Sequence, residues 1–373
     1  MGKLSKDKLE EQIAKSVISE LSNEKLNSAS KFINLDLQRR KLNKSHKTYV
    51  NGVKRAIDHN KASRCYFSYN LDSVLTGRLS CSKYDTEEGP MGVSFHTLPR
   101  ERKTNIRRMF TAPRGQAFIT IDYKGMELRV LAHISREEKM KQAFIEGKDL
   151  HTYSASLTFD VPYDKVTPEQ RQIAKEPSFL TVYGGTEYTL AKKRGISLKK
   201  AKNIIESWLD AFPGVREYKE FIYNFLQKYK YVYSLFGRRR NLPDVDSSNW
   251  AVQKHALNQG LNFTVQSPSS DILLMAAIKV HGRLRETNAR IVASVHDSIE
   301  LIAPYDELEE VLKICYDEMT DVSIMRDKFG VEFSVPLEIE TLVGKSFGDG
   351  IELGYGPGGE ISNTEEVARY LEI

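Results

Sequence analysis

Cysteine is scarce in this sequence: Cys65, Cys81 and Cys315 are the only three in 373 residues, with no C-x-x-C spacing. An odd count at such spacing excludes a disulfide framework and a cysteine-based zinc site, and reads as reduced packing residues in a cytosolic-type compartment. Long apolar runs are also missing, which excludes a membrane-spanning helix, and no apolar signal segment follows the lysine-rich start MGKLSKDKLEEQ. A large net charge is absent too. The formal +5 hides an asymmetry, however, because residues 1–116 carry 23 Lys and Arg against 12 Asp and Glu, a balance of +11 that leaves −6 for the remainder. A basic front fits binding to a phosphate backbone, and an acidic rear is compatible with a metal site. A hydrophobic content of 40% suffices for real cores, and the length allows two or three domains.

The stretch from Phe118 to His133, FITIDYKGMELRVLAH, organises the rest. Its β-branched, apolar start predicts a short buried strand ending in Asp122. From Met126 the period changes, with Met126, Val130 and His133 on one helical face. Taken alone, a carboxylate at such a junction reads as a helix cap. Residues 290–303, RIVASVHDSIELIA, predict two further strands, Ile291 to Val295 and Ile299 to Ala303, joined by a tight turn carrying His296, Asp297 and Ser298. Asp122 and Asp297 lie 175 positions apart and meet only if their strands are neighbours in one sheet. Two hard oxygen ligands at sheet ends suit Mg²⁺, whose coordination is completed by water and substrate phosphates.

A third stretch, RQIAKEPSFLTVYGG at 171–185, follows Thr167-Pro-Glu-Gln170, a helix start with Thr as N-cap, Pro at N1 and Gln closing a capping box. Arg171, Lys175, Phe179 and Tyr183 recur every four residues, so each advances about 6 Å and drifts about 40° around the helix. One face thus offers two cations and then two rings, which suits a nucleoside triphosphate or, for an isolated helix, a solvated face with aromatics tucked into a core. Pro177 predicts a kink.

Together these stretches resemble family A (DNA polymerase I-like) DNA polymerases. DYxxxELR at 122–129 resembles the family's motif A, the 171–185 helix its motif B (RxxxKxxxFxxxYG), and VHD at 295–297 its motif C, in the family's order. The resemblance implies an α+β, right-hand polymerase fold with an antiparallel-sheet palm and helical fingers, the thumb truncated or absent. It divides the chain into a helical N-terminal segment at 1–34, a first palm part at 35–135, fingers at 136–250, a second palm part at 251–353 and a loose tail with a short helix at 354–373. Residues 3–33 read as an amphipathic helix with Leu9, Ile13, Val17, Leu21 and Leu26 near one face, and residues 304–328 and 331–342 as a helix and a final strand.

By the same resemblance, Asp122, Asp297 and the Tyr123 carbonyl hold two Mg²⁺, and Lys175 joins the two acids in catalysis. Arg171, Lys175, Phe179, Tyr183, Tyr123 and His151 (in GKDLH at 147–151) meet the incoming nucleotide, and Glu127 packs where a 2′-hydroxyl would sit. Arg78 in TGRLS, Asn262, Gln266, His296 and Arg129 contact nucleic acid. Three departures stand out: Asn258 where the family has Arg, Ser298 where it has Glu, and Pro177. The implied activity is template-directed DNA synthesis on primer-template DNA from dNTPs, without a proofreading exonuclease domain, in the cytoplasm of a bacterial or phage-infected cell. Two alternatives are a subunit of a split enzyme whose second chain supplies thumb and exonuclease, and a single-subunit RNA polymerase.

Overall fold

The computed structural model describes residues 23–99, 106–183, 185–356 and 359–372. Most of the N-terminal amphipathic stretch, the basic residues Arg100, Arg102 and Lys103, and Gly184 lie outside the described residues, as do the side chains of Phe179 and Tyr183. Contacts divide the chain into two compact units, residues 1–68 with 81–109 and residues 69–80 with 110–373. In the first, helix α1 (Asn23–Ser45) continues through one π-type turn into α2 (Asn51–Asn60). The apolar side chains of Phe32, Leu35, Leu37 and Leu42 on α1 are exposed. Short strands β1 (Phe67–Asn70) and β2 (Ser80–Lys83) flank the segment 69–80, which belongs to the second unit.

The second unit is built on one antiparallel sheet in the order β6-β7-β3-β8-β9. Its central strand is β3 (Gln116–Tyr123), flanked by β7 (Ser298–Pro304) and β8 (Ile339–Ser346), with β6 (Arg290–Val295) and β9 (Asp349–Leu353) at the edges. The alternation of β3 puts Ala117, Ile119, Ile121 and Tyr123 on a fully buried face, while Thr120 and Asp122 point to the other. On the buried face pack α3 (Met126–Ile134), α10 (Trp250–Arg283) and α11 (Leu308–Thr320), through Val130, Leu131, Val265, Ile272, Val311 and Cys315.

Between β3 and β6 the chain makes a helical excursion: α4 (Glu138–Ile145), α5 (Leu150–Phe159), α6 (Pro168–Tyr183), α7 (Glu187–Arg194), α8 (Leu198–Ala211) and α9 (Pro213–Tyr229), then the hairpin β4 (Tyr231–Tyr233) and β5 (Arg239–Asn241). Helix α6 starts as its sequence requires. Thr167 accepts from the Gln170 backbone N–H at 3.2 Å, and Gln170 accepts in return from the Thr167 N–H at 2.9 Å. The helix runs through Pro177 without interruption.

Three sequence expectations fail in the C-terminal part. Residues 304–328 form two helices, α11 and α12 (Ser323–Phe329), because the backbone turns extended at Asp321, whose carboxylate accepts from the Ser323 N–H at 2.8 Å. The strand expected from Val331 begins only at Ile339 and is followed by β9. The tail expected to be loose is packed: α13 (Thr364–Leu371) buries Val367 and Leu371 in the main core, and Tyr355 stacks on Tyr316 at 4.9 Å. Here the pattern hid apolar positions among Gly and acidic residues.

Candidate active site

The turn after β3 sets the site. Gly125 takes φ 60°, a left-handed value that costs glycine nothing, and the chain enters α3 with Glu127 in its first turn. On one side of β3, β7 pairs so that Asp122 faces Ser298 and Thr120 faces Glu300. The Tyr123 N–H donates to the Asp297 carbonyl at 3.3 Å, so the end of β3 and the β6–β7 turn share one place. That turn has two residues, His296 and Asp297, with His296 at φ 61°, while Ser298 already belongs to the strand. On the other side of β3, β8 places Glu340 directly opposite Asp122. Asp122, Asp297 and the Tyr123 carbonyl are hard oxygen donors of the kind Mg²⁺ takes, with positions left for substrate.

One cation reaches these acids, and a second cationic arrangement joins α6 to the start of α5. Arg78 donates to Glu127, and the same Nη2 lies 3.6 Å from Asp297 Oδ1, so one guanidinium bridges motif A and motif C. Its segment is tied down at both ends. Tyr69 donates to the Ser294 carbonyl and accepts from the Ser294 N–H, each at 2.7 Å, and Ser270 donates to the Gly77 carbonyl at 3.4 Å. On α6, Arg171 reaches Asp149 with two parallel bonds of 2.8 and 2.9 Å. Asp149 also caps α5 through the Thr152 N–H at 2.7 Å. Burial alone would raise the Asp149 carboxyl; Arg171 and Thr152 outweigh it and hold the carboxyl well below the usual range. His151 is two residues further on; burial chiefly, with help from Lys175 and Arg171 and against the pull of Asp149, brings its imidazole down to about 4.

Two residues expected at the ligand are engaged elsewhere. Arg129 is buried, donating to the Lys124 carbonyl at 2.8 Å, to the Pro336 carbonyl and to Glu338 at 2.7 Å, with its guanidinium 4.4 Å from the Phe144 ring centre. It clasps the β3–α3 turn to the 336–338 segment. The Tyr123 side chain is buried as well, its hydroxyl donating to the Met319 carbonyl at 2.7 Å, so only its backbone faces the site. On α10, Asn258 accepts from the Tyr223 hydroxyl at 2.5 Å, Asn262 has a buried carbonyl oxygen without a hydrogen-bond partner, and Gln266 is buried.

Glu300 was not legible beforehand. It is fully buried, with Thr120 Oγ1 2.5 Å from one carboxyl oxygen and Ser298 Oγ 2.7 Å from the other. It thus ties β3 to β7 two residues from Asp122 in register. The one available signal was a lone acid within an otherwise apolar run, Ile299 to Ala303.

Residues 2–349 match DNA polymerase family A. The chain is 34% identical over 324 residues to the thermostable DNA polymerase I of Thermus thermophilus, covering 87% of this chain and 37% of that protein. It is 33% identical over 319 residues to DNA polymerase I of Chloroflexus aurantiacus, covering 85% and 32%. The chain therefore spans about a third of the length of the relatives it matches. The solved structure of the POL domain of Pol1 from M. smegmatis, in complex with DNA primer-template and dNTP, superposes with a TM-score of 0.74 at 30% identity, covering 90% of this chain and 55% of that one.

Two outcomes follow. An amide at position 300 supplies one donor and one acceptor, so Glu300→Gln keeps both hydroxyl contacts, whereas Glu300→Ala lowers stability by about 1–3 kcal/mol in urea unfolding. His151 takes up its proton near 6.5 when unfolded and only near 4 when folded, so the stability its neutral ring contributes is present above 6.5 and lost as pH falls towards 4. His151→Gln should flatten the decline of melting temperature over that window.

Proposed function

Because the chain belongs to DNA polymerase family A, we propose that it extends a primer 3′-end on a DNA template by adding deoxynucleotides. The observation that carries this reading is the β3–β7 register, which sets Asp122 opposite Ser298, the neighbour of Asp297, with the Tyr123 N–H bonded to the Asp297 carbonyl. In this reading the two carboxylates and the Tyr123 carbonyl would hold two Mg²⁺. Bound there, the ions would acidify the primer 3′-hydroxyl and neutralise charge that builds on the phosphoryl oxygens.

The chain's own residues do the rest. Arg171, Lys175 and His151 form a cationic and hydrogen-bonding wall for the triphosphate, Arg171 exchanging Asp149 for phosphate oxygens of the same planar, bidentate geometry. A phosphate beside His151 favours its protonated form, so the nearly neutral ring of the free protein becomes a donor when the nucleotide arrives. By the family's pattern, Phe179 and Tyr183 would meet sugar and base. Glu127, held by Arg78, takes the space beside the sugar 2′ position and selects deoxyribose. Arg78, Asn262 and Gln266 line the track of the primer-template, with His296 at the turn beside Asp297. The same Arg78–Glu127 pair argues against ribonucleotides as the natural substrate.

The test is extension of a labelled primer on a DNA template by the full chain with Mg²⁺ and dNTPs. Losing several kcal/mol of charge stabilisation corresponds to about a thousandfold or more in rate, so Asp297→Ala should abolish extension. Equal extension by wild type and Asp297→Ala would reject the assignment. Glu127→Ala should raise ribonucleotide incorporation relative to deoxynucleotide.

A further inference from the structure

An aromatic ladder runs along α9 and onto β4, outside the site described above. Phe221, Phe225 and Tyr229 recur at four-residue steps on α9, and Tyr231 and Tyr233 alternate onto the same side of β4. Their ring centres are linked at 6.1 Å (Phe221–Phe225), 4.6 Å (Phe225–Tyr229), 5.7 Å (Phe225–Tyr231) and 5.4 Å (Tyr231–Tyr233). Phe225 packs against the core below and Tyr231 is half-buried, while the other three rings face outward. Phe221 is 60% exposed, Tyr229 43% and Tyr233 50%. Exposed aromatics gathered in one row mark a binding surface, since scattered ones would be unremarkable.

What covers the row is indicated by its charge. Residues 216–241 contain seven Lys or Arg against two acids, Glu217 and Glu220. Arg239 rests 4.1 Å from the Tyr231 ring centre and Lys228 5.0 Å from that of Tyr229, and neither has a carboxylate partner among the described residues. Other cations of the stretch are already paired, Lys230 with Asp246 and Arg238 with Asp271. At one end, Phe221 and Tyr233 form part of the wall of a groove of about 490 Å³ that Arg136 and Lys141 also line, Lys141 being paired with Glu138 at 2.7 Å, with Glu332 the one acid in the lining. Asp122 precedes α3 and His133, another lining residue, stands near its end, so the groove lies about one helix length, roughly 12 Å, from the acid pair.

Rings in a row with cations on their faces and a basic groove at one end are what single-stranded nucleic acid recognises: every base has a face to stack, and the backbone follows the positive charge. We propose that Phe221, Phe225, Tyr229, Tyr231 and Tyr233, with Lys228, Arg239 and the adjoining groove, form a binding surface for single-stranded DNA separate from the catalytic acids. The surface needs no primer end, metal or nucleotide, so it stands apart from the polymerase reading.

The test is fluorescence anisotropy of a labelled oligothymidylate with the full chain, in the absence of divalent metal. Each stacked base is worth roughly five- to a hundredfold in affinity, so Phe221→Ser combined with Tyr233→Ser should weaken binding by about tenfold or more. Both side chains are largely exposed, and an unchanged circular dichroism melt of the variant would confirm its fold. Asp297→Ala should bind the oligothymidylate as wild type does, whatever its extension activity. Unchanged affinity in the double variant overturns the proposal. So does a double variant that loses self-association in sedimentation while keeping oligothymidylate affinity, which would make the row a protein interface.

Discussion

Everything at the candidate active site depends on the register between β3 and β7. Side chains alternate along a strand, so a slip of one residue would send Asp122 into the hydrophobic core and Ile121 to the open face. The register is pinned from both faces. On the buried face, Ile119, Ile121, Ile299 and Leu301 are all inaccessible to solvent and meet across the pair. On the other, Glu300 links Thr120 of β3 to Ser298 of β7. A polar link between two strands specifies their alignment in a way that interchangeable aliphatic contacts do not, and its burial makes misalignment costly.

The cationic side of the site follows the same logic. Acids brought together repel, and in this structure Arg78 answers for two of them, Glu127 and Asp297. Glu340, opposite Asp122, adds a further negative group at that level of the sheet. Arg171 is likewise held by Asp149, which keeps the helix face oriented. In the proposed reaction a phosphate would replace Asp149 at Arg171, anion for anion, and metal ions would replace Arg78 at Asp297, cation for cation, leaving Arg78 on Glu127.

How much of this could be read from the chain depends on how local each feature is. The β3–α3 junction, the β6–β7 turn and the capping box of α6 were legible because strand period, helix period and cap chemistry lie within a few residues. The pairing of β3 with β7 was legible only as a condition, since periodicity does not say which strands are neighbours. Where the Arg129 and Tyr123 side chains go was not legible for a related reason: membership of a motif does not say which way a side chain points, and theirs point to Glu338 and Met319. Arg78 was singled out through its motif for a contact with nucleic acid, whereas its contacts with Glu127 and Asp297 join residues far apart in sequence and were not legible. The aromatic row on α9 went unread because Phe221, Phe225 and Tyr229 at four-residue spacing look like an ordinary buried helix face until their exposure is known.

The central claim is that Asp122 and Asp297 act as one ligand set. The most direct measurement is Mn²⁺ binding, followed by electron paramagnetic resonance, to the chain with a dideoxy-terminated primer-template and the next correct dNTP. Asp122→Asn and Asp297→Asn should each weaken binding strongly, and the double variant should lose little more than either alone, because both remove the same coordination. Additive losses, or undiminished Mn²⁺ binding in Asp122→Asn, would contradict the account.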